Sequence, residues 1–416
     1  MTTRQIKFSK AVPPNISDSS SALSCNIQNE SSQSQSNSTV VVKSGGPSKL
    51  VTIITKYPFT FAALLVTCIS VLCAAIVCIV ILTHNSPIDE SSLMNVTEEL
   101  LSSNITLTEI TTATTERKLN KWKQNATTVA GGNGSGGELN ELAYPSGIFI
   151  DQNDDMLIAD FRNHRVVRWK LHENGGVVVV GGNGKGNGTN QLNEPSCVIV
   201  DQYNNSLIIC DSGNKRVVRW FSGTQHKTII QNVDCFGLAV DKYGYLYVPN
   251  PRKSEVRRWK IAEEIGEEEG VVVAGGHGYG DNLNQFKSPG FAFVDDEQAV
   301  YVTDQQAHRV MKWRKGVDEG IVVAGGDNWG NDLNQLARPM GIVVDHFGQI
   351  YVADEENNRI IRWSEGSRQG EIIVGGNGKG AESNQFAYSK DLAFDTGGNL
   401  YVADVGNNRI QRFDLI

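Results

Sequence analysis

The sequence predicts an all-β fold, a six-bladed β-propeller, and three observations support this prediction. Glycine doublets that follow β-branched runs begin at residues 131, 181, 275, 325 and 375, so neighbouring copies are 50 residues apart except across one wide gap. A second marker, an Asp or Asn followed nine residues later by an aromatic residue, occurs in six copies. Each copy holds four short runs rich in Val, Ile and Tyr, without helical periodicity. Four-stranded units repeated in this way are typical of a propeller.

The strands of one copy can be placed individually. In the fifth copy, GIVVD at 341–345 and QIYVAD at 349–354 predict a hairpin, and RIIRW and EIIVGG predict the two following strands. The last copy ends after its third strand, whereas ATTVAGG at 126–132 precedes the first copy and matches a fourth strand. We therefore expect this N-terminal strand to close the ring, which removes exposed sheet edges, and we assign the propeller to residues 125–416.

The segment before the propeller contains a predicted membrane span. Residues 59–82 are 24 consecutive residues without a charge, which is enough to cross a bilayer as a helix, and we place the span at 58–83. Lysines precede the span and carboxylates follow it, which predicts that residues 1–57 are cytosolic and that the propeller is extracellular or lumenal. We expect a single-pass type II protein with a signal-anchor, in the plasma membrane or the secretory pathway.

Composition predicts little fixed structure on either side of this span. Residues 1–57 are rich in Ser, Gln and Asn, which predicts a disordered cytosolic tail, and residues 84–124 are expected to form a flexible stalk. Sequons after the span predict a glycoprotein; their asparagines are Asn95, Asn104, Asn125, Asn133, Asn187 and Asn204. The chain has a net charge of −8 although its tail is basic, so the rest is acidic and an unsuitable partner for nucleic acid.

The repeated motifs resemble the NHL repeat. PMGIVVD with YVADEENNRI, and DLAFD with YVADVGNNRI, match its pattern of a short strand ending in Asp followed by Asp-x-x-Asn-x-Arg. The resemblance covers about residues 126–416 and implies a six-bladed propeller. It does not imply one function, because such propellers bind proteins, bind RNA or act as lyases and hydrolases.

Function therefore has to be argued from the residues, and the leading prediction is recognition of a protein or glycan ligand. One alternative is an ectoenzyme of the peptidylamidoglycolate-lyase or metal-dependent hydrolase type. However, no three histidines recur at equivalent strand positions, and we predict no metal site, catalytic residue or cofactor. A second alternative is a ubiquitin-ligase-associated or RNA-binding role, which conflicts with the predicted topology, the acidic charge and the absence of paired CxxC cysteines.

Several repeated features are interpreted as scaffold. The glycine-rich loops lack the following helix that a phosphate-binding loop requires, and the strand-end aspartates are suited to bonding with the Asn and Arg of their own turns. The repeated tryptophans are expected to pack between blades. If Asp201 pairs with Ser206, Cys197 lies opposite Cys210, which predicts a cross-strand disulfide and leaves Cys235 unpaired or competing for the same partner.

Departures from the repeat indicate where a ligand binds. One position of the glycine-rich loop changes from copy to copy, and it holds Tyr279 and Trp329 in two neighbouring copies. These rings either anchor a ligand or fold back onto the blade below. The loop that enters the third blade is missing, and the sequons Asn133 and Asn187 lie in the loops that enter blades 1 and 2. We therefore expect a ligand site over blades 3 to 5, whose residues are Tyr279, Trp329, His277 and His308.

Overall fold

A computed structural model describes residues 38–42, 51–55, 120–201, 205–221, 226–261 and 269–416. The chain forms two compact units, Met1–Thr115 and Glu116–Ile416. In the first unit, strands β1 (Ser38–Val42) and β2 (Val51–Thr55) pair antiparallel. Both strands lie within residues 1–57, whose composition predicts disorder. They are rich in valine and threonine, and β-branched residues favour extended backbone locally.

The predicted membrane span, 58–83, lies outside the described residues. Within the described ranges no helix is long and apolar enough to cross a membrane.

The second unit consists of six four-stranded antiparallel sheets, which we call blades 1 to 6 in chain order. The strands of blades 1 to 3 are β4 (Pro145–Ile150), β5 (Met156–Asp160), β6 (Arg165–Trp169) and β7 (Val177–Gly181); β8 (Pro195–Asp201), β9 (Ser206–Asp211), β10 (Arg216–Trp220) and β11 (His226–Gln231); and β12 (Ala239–Val240), β13 (Tyr245–Asn250), β14 (Glu255–Lys260) and β15 (Val271–Gly275). The strands of blades 4 to 6 are β16 (Pro289–Val294), β17 (Val300–Asp304), β18 (Arg309–Trp313) and β19 (Ile321–Gly325); β20 (Pro339–Val344), β21 (Ile350–Asp354), β22 (Arg359–Trp363) and β23 (Glu371–Gly375); and β24 (Ser389–Phe394), β25 (Leu400–Asp404), β26 (Arg409–Phe413) and, from the N-terminal side, β3 (Thr127–Gly131). The prediction of six blades is confirmed.

The ring closes in blade 6. Strand β3 pairs antiparallel with β26, with Arg409 opposite Gly131, so the predicted closure by the N-terminal strand is confirmed. The first strands of neighbouring blades contact each other around the propeller axis. Single-turn 3₁₀ helices follow the second strands of blades 1, 2 and 6, at Phe161–Asn163, Ser212–Asn214 and Val405–Asn407.

A buried hydrogen-bond network repeats at the end of the second strand in blades 1, 2, 5 and 6. In blade 5, one oxygen of Asp354 accepts the amide of Ala337 at 2.7 Å, and the other accepts Asn357 Nδ2 at 2.8 Å and Arg359 Nε at 2.7 Å. The same three-way arrangement recurs around Asp160, Asp211 and Asp404. These aspartates are scaffold, as the motif predicts, because a buried carboxylate is stable only when its acceptor sites are filled.

The glycine doublets are required by close backbone contact. Gly375 has φ +76°, and a Cβ added to it would lie 2.7 Å from the carbonyl oxygen of Asn358. A residue with a side chain would therefore be strained and would clash at this position. The recurrent aromatics are buried in the cores between strands; Trp313 and Trp363 are each 1% exposed and Phe413 is fully buried.

The predicted disulfide between Cys197 and Cys210 is wrong. The register is as expected, since Asp201 pairs with Ser206 and Cys197 lies opposite Cys210. Nevertheless, the disulfide joins Cys210 to Cys235, with their Cα atoms 5.9 Å apart, and Cys197 is a buried free thiol. The reason is that Ser212 Oγ donates to the Cys235 carbonyl at 2.8 Å, which holds the linker before blade 3 against the end of β9.

Residues 120–124, the end of the predicted stalk, pack on the propeller. Trp122 is 3% exposed, stacks on Phe394 with ring centroids 5.6 Å apart, and donates its indole N–H to the carbonyl of Gly398 at 2.9 Å. It also forms an antiparallel bridge with Leu415. Gly398 lies in the turn between the first and second strands of blade 6, so the chain enters the propeller on the face formed by such turns.

Candidate functional site

The face opposite to Trp122 carries the loops that leave each fourth strand and the loops that join second to third strands. We call it the loop face. Tyr279 and Trp329 occupy equivalent positions there, in the loops that enter blades 4 and 5, and form the equivalent bridges to Phe286 and Leu336. Their side chains are 65% and 61% exposed. Of the two alternatives that the sequence left open, the rings therefore do not fold into the blades below.

The polar ends of both rings are nevertheless held. Trp329 Nε1 donates to Glu356 Oε2 at 2.9 Å, and the Tyr279 hydroxyl donates to Gln306 Oε1 at 3.3 Å. Gln306 and Glu356 lie in the loops between the second and third strands of blades 4 and 5. Each ring is thus fixed at its polar end and open on its apolar surface, an arrangement that suits interface anchors.

The scaffold network supports the loop that carries Trp329. Arg359 donates to the carbonyls of Asn331, Asp332 and Gln335 at 2.7 to 3.0 Å, in addition to its bond with Asp354. Arg309 binds the equivalent carbonyls of the Tyr279 loop. The repeat motif thereby sets the position of the variable aromatic residues.

The two predicted histidines differ in role. His277 is exposed, and its backbone carbonyl accepts a bond from Gln285 at 2.8 Å. His308 is half-buried with φ +53°, and its Nδ1 accepts the backbone N–H of Arg338 at 3.2 Å. Burial lowers the pKa of this imidazole. No hydrogen bond or ring contact among the described residues joins either histidine to Tyr279 or Trp329.

The role of His308 repeats around the ring and was missed by the sequence reasoning. His164 Nδ1 accepts the amide of Glu194 at 3.0 Å, and Asn358 and Asn408 supply side-chain oxygens for the same bond in blades 5 and 6. Each of these side chains joins one blade to the start of the next. The signal was available, because histidine replaces asparagine at a fixed place in the repeat.

Three of the predicted glycosylation sites fall within the described residues. Asn125, Asn133 and Asn187 are exposed, and Asn133 and Asn187 lie on the loop face in the loops that enter blades 1 and 2. Asn95, Asn104 and Asn204 lie outside the described ranges.

A second group of polar residues lies near the propeller axis, where Lys390 and Asp391 begin the innermost strand β24 and Glu355 follows β21. Lys390, Asp391 and Glu355 are 6%, 7% and 2% exposed. Burial lowers the pKa of Lys390 and raises that of Glu355, while their mutual attraction opposes both shifts. Burial also raises the pKa of Asp391 to about 7, although it accepts the backbone amides of Ile148 and Leu392. In the part of the chain that the structure describes, no group of three or more His, Cys, Asp or Glu side chains could hold a metal ion.

The fold defines the class of protein: this is a six-bladed β-propeller. The NHL repeat family model matches residues 386–413, so the chain carries an NHL repeat in its sixth blade.

Solved structures agree on the fold. A protein of unknown function from Bacteroides thetaiotaomicron is 16% identical, with a TM-score of 0.55 over 71% of this chain and 77% of that one. An auxiliary nutrient binding protein from the same organism is 14% identical, with the same score and coverage. Another auxiliary nutrient binding protein, from Bacteroides ovatus, is 11% identical, with a TM-score of 0.53 over 72% of this chain and 78% of that one. A comparison with curated proteins found no significant match. At these identities the likeness concerns the fold alone.

Proposed function

We propose that this chain is a single-pass type II membrane glycoprotein whose propeller, outside the cytosol, binds a protein or glycan ligand through its loop face. The observation that carries the proposal is the pair of exposed, oriented rings of Tyr279 and Trp329. Aromatic side chains contribute large contact areas at interfaces and lose little conformational entropy when their position is already fixed. A binding role is also consistent with the nutrient-binding proteins among the solved propellers of similar fold.

The geometry of the chain supports this choice of face. Residues 120–124 pack on the opposite face, around Trp122, so these residues leave Tyr279 and Trp329 uncovered. The membrane location is proposed from the 24 uncharged residues at 59–82 and from the charges that flank them.

The binding proposal is tested with the labelled full-length chain on an array of defined glycans and of purified ectodomains. We expect binding to specific spots, weakened at least about thirtyfold by Tyr279→Ala combined with Trp329→Ala, since even one aromatic anchor contributes about 2 kcal/mol. The matched control combines Tyr243→Ala with Phe347→Ala, two aromatics that are 54% and 49% exposed in turns of the opposite face. Equal binding by both double variants would show that the loop face is not the site.

The membrane proposal needs its own measurement. In cells that express the full-length chain, treatment with an N-glycosidase should lower the apparent mass, and Asn133→Gln and Asn187→Gln should each lower it before treatment. An unchanged mass in all three experiments, together with extraction of the chain by carbonate, would contradict the proposed topology.

A further inference from the structure

Five side chains from blades 5, 6 and 1 meet beside the propeller axis on the loop face, and we call them the rim cluster: Tyr144, Arg162, Arg338, Glu355 and Lys390. Lys390, the second residue of β24, lies at the base of the cluster and is 6% exposed. Its Nζ is 5.3 Å from the centre of the Tyr144 ring, and Arg162 lies over the same ring at 5.0 Å. Two cations thus share one aromatic surface.

Lys390 is the buried cation of the rim cluster, and it has no hydrogen-bond acceptor in the part of the chain that the structure describes. Glu355 is the carboxylate of the cluster, and its Oε2 lies 3.0 Å from Arg338 Nη1. Among the described residues, Lys390 Nζ donates no hydrogen bond; the rings of Tyr144 and Phe161 lie beside it, and the carboxylates of Glu355 and Asp391 act on it without an ion-pair contact. Because Lys390 is 6% exposed, its ammonium can reach little solvent, so this arrangement favours an additional acceptor.

The rim cluster is rich in cations although the protein is acidic. It holds Arg162, Arg338 and Lys390 with one carboxylate, Glu355, whereas the protein carries a net charge of −8. Two further carboxylates lie nearby: Glu356, which accepts the Trp329 indole, and Asp391, whose pKa is raised by burial to about 7 and which accepts two backbone amides beneath Lys390. An anion at the cluster would therefore be attracted by three cations that these carboxylates only partly balance.

The ring beside Lys390 is held in place, and the cluster is reachable from solvent. Tyr144 lies in the left-handed backbone region, at φ 61°, and its amide donates to Asn408 Oδ1 at 2.9 Å. The side chain of Arg338 is 46% exposed, whereas Lys390 is buried. The exposed groups form a rim, and the buried ammonium lies below it.

We propose that the rim cluster binds the carboxylate group of a ligand, with Lys390 below it and the guanidinium of Arg338 at the rim. A planar carboxylate can accept two parallel bonds from a guanidinium while it bonds to an ammonium. The carboxylate belongs to a free small molecule or to the terminus or an acidic side chain of a peptide. This site is separate from Tyr279 and Trp329, so it stands even if the loop-face proposal fails.

The test measures the unfolding midpoint of the full-length chain in acetate, in succinate and in chloride at equal ionic strength. A peptide with a free terminal carboxylate and the same peptide with an amidated terminus distinguish the two sources. A ligand that binds the folded state raises the midpoint, and at a given concentration a tighter ligand raises it further. We expect carboxylates to raise the midpoint relative to chloride and Lys390→Met to weaken their affinity by at least about tenfold, the value of a charged hydrogen bond. Lys379→Met is the matched control, because Lys379 is an exposed lysine that lies over Tyr388 at 3.8 Å.

A second variant keeps the proposal testable if Lys390→Met fails to fold. Glu355→Gln removes the competing negative charge, so it should strengthen carboxylate binding several-fold. The proposal is overturned if no carboxylate raises the wild-type midpoint above chloride, if Lys390→Met responds like Lys379→Met, or if Glu355→Gln weakens binding. A larger effect of the free peptide than of its amidated form would identify a peptide terminus as the source, and equal effects with a response to succinate would identify a small molecule.

Discussion

Replacement of Arg359 by methionine tests how the repeat motif supports the variable loop. Arg359 is 3% exposed and its guanidinium bonds to Asp354 and to three carbonyls of the loop that carries Trp329. Methionine retains much of the volume but leaves the carboxylate of Asp354 buried without its ion partner. Removal of one partner of a buried ion pair costs about 3–5 kcal/mol, so we expect the free energy of unfolding to fall by that amount.

Two measurements check this prediction. Urea unfolding of the full-length chain gives the change in stability, and hydrogen exchange followed by mass spectrometry should show faster exchange across residues 326–338. The control is Lys123→Met, because the ion pair of Lys123 with Asp414 is exposed and should contribute about 1 kcal/mol at most. If Arg359→Met costs no more than Lys123→Met, or if exchange across 326–338 is unchanged, the network does not position the Trp329 loop.

Two further predictions concern pH and the disulfide. The folded-state pKa of Asp391, about 7, is above the ordinary value of 3.8, so its stabilising contribution is full below 3.8 and is lost as pH rises through 7. Asp391→Asn should therefore flatten the pH dependence of the unfolding midpoint in that window, and an unchanged slope would contradict the burial argument. Peptide mapping without reduction should find Cys210 linked to Cys235, and Cys235→Ser should reduce stability by about 3 kcal/mol, whereas Cys197→Ser should preserve the bridge. A peptide that links Cys197 to Cys210 would refute this assignment.

The sequence predicts the propeller well because its scaffold is local and repeated. The hydrogen bonds of Asp354 with Asn357 and Arg359 are contained within six residues. The equivalent networks recur at the same spacing, so each copy of the motif predicts one blade. The register of β8 with β9 was also predictable, since a tight hairpin determines it.

The remaining features depend on contacts between segments that are distant in sequence. The partner of Cys210 was missed because the linker that carries Cys235 is held against blade 2 by serine hydroxyls, which no local pattern shows. The rim cluster was missed for the same reason, because it combines residues of three blades. A signal existed there, since β24 begins Ser-Lys-Asp where β20 begins Pro-Met-Gly, and charged residues at the start of a buried innermost strand depart from the repeat.

The two ends of the propeller are joined by hydrogen bonds on both sides of Trp122. The amide of Lys123 donates to the Asp414 carbonyl at 2.9 Å, and the amide of Ile416 donates to the Lys121 carbonyl at 2.8 Å. A few residues later, the same chain becomes β3, the last strand of blade 6. A mechanical pull on the chain before residue 120, against a ligand held on the loop face, would act along β3. Because the hydrogen bonds of β3 run across that direction, they would share the load in shear, so blade 6 would bear the force at the point where the ring is closed.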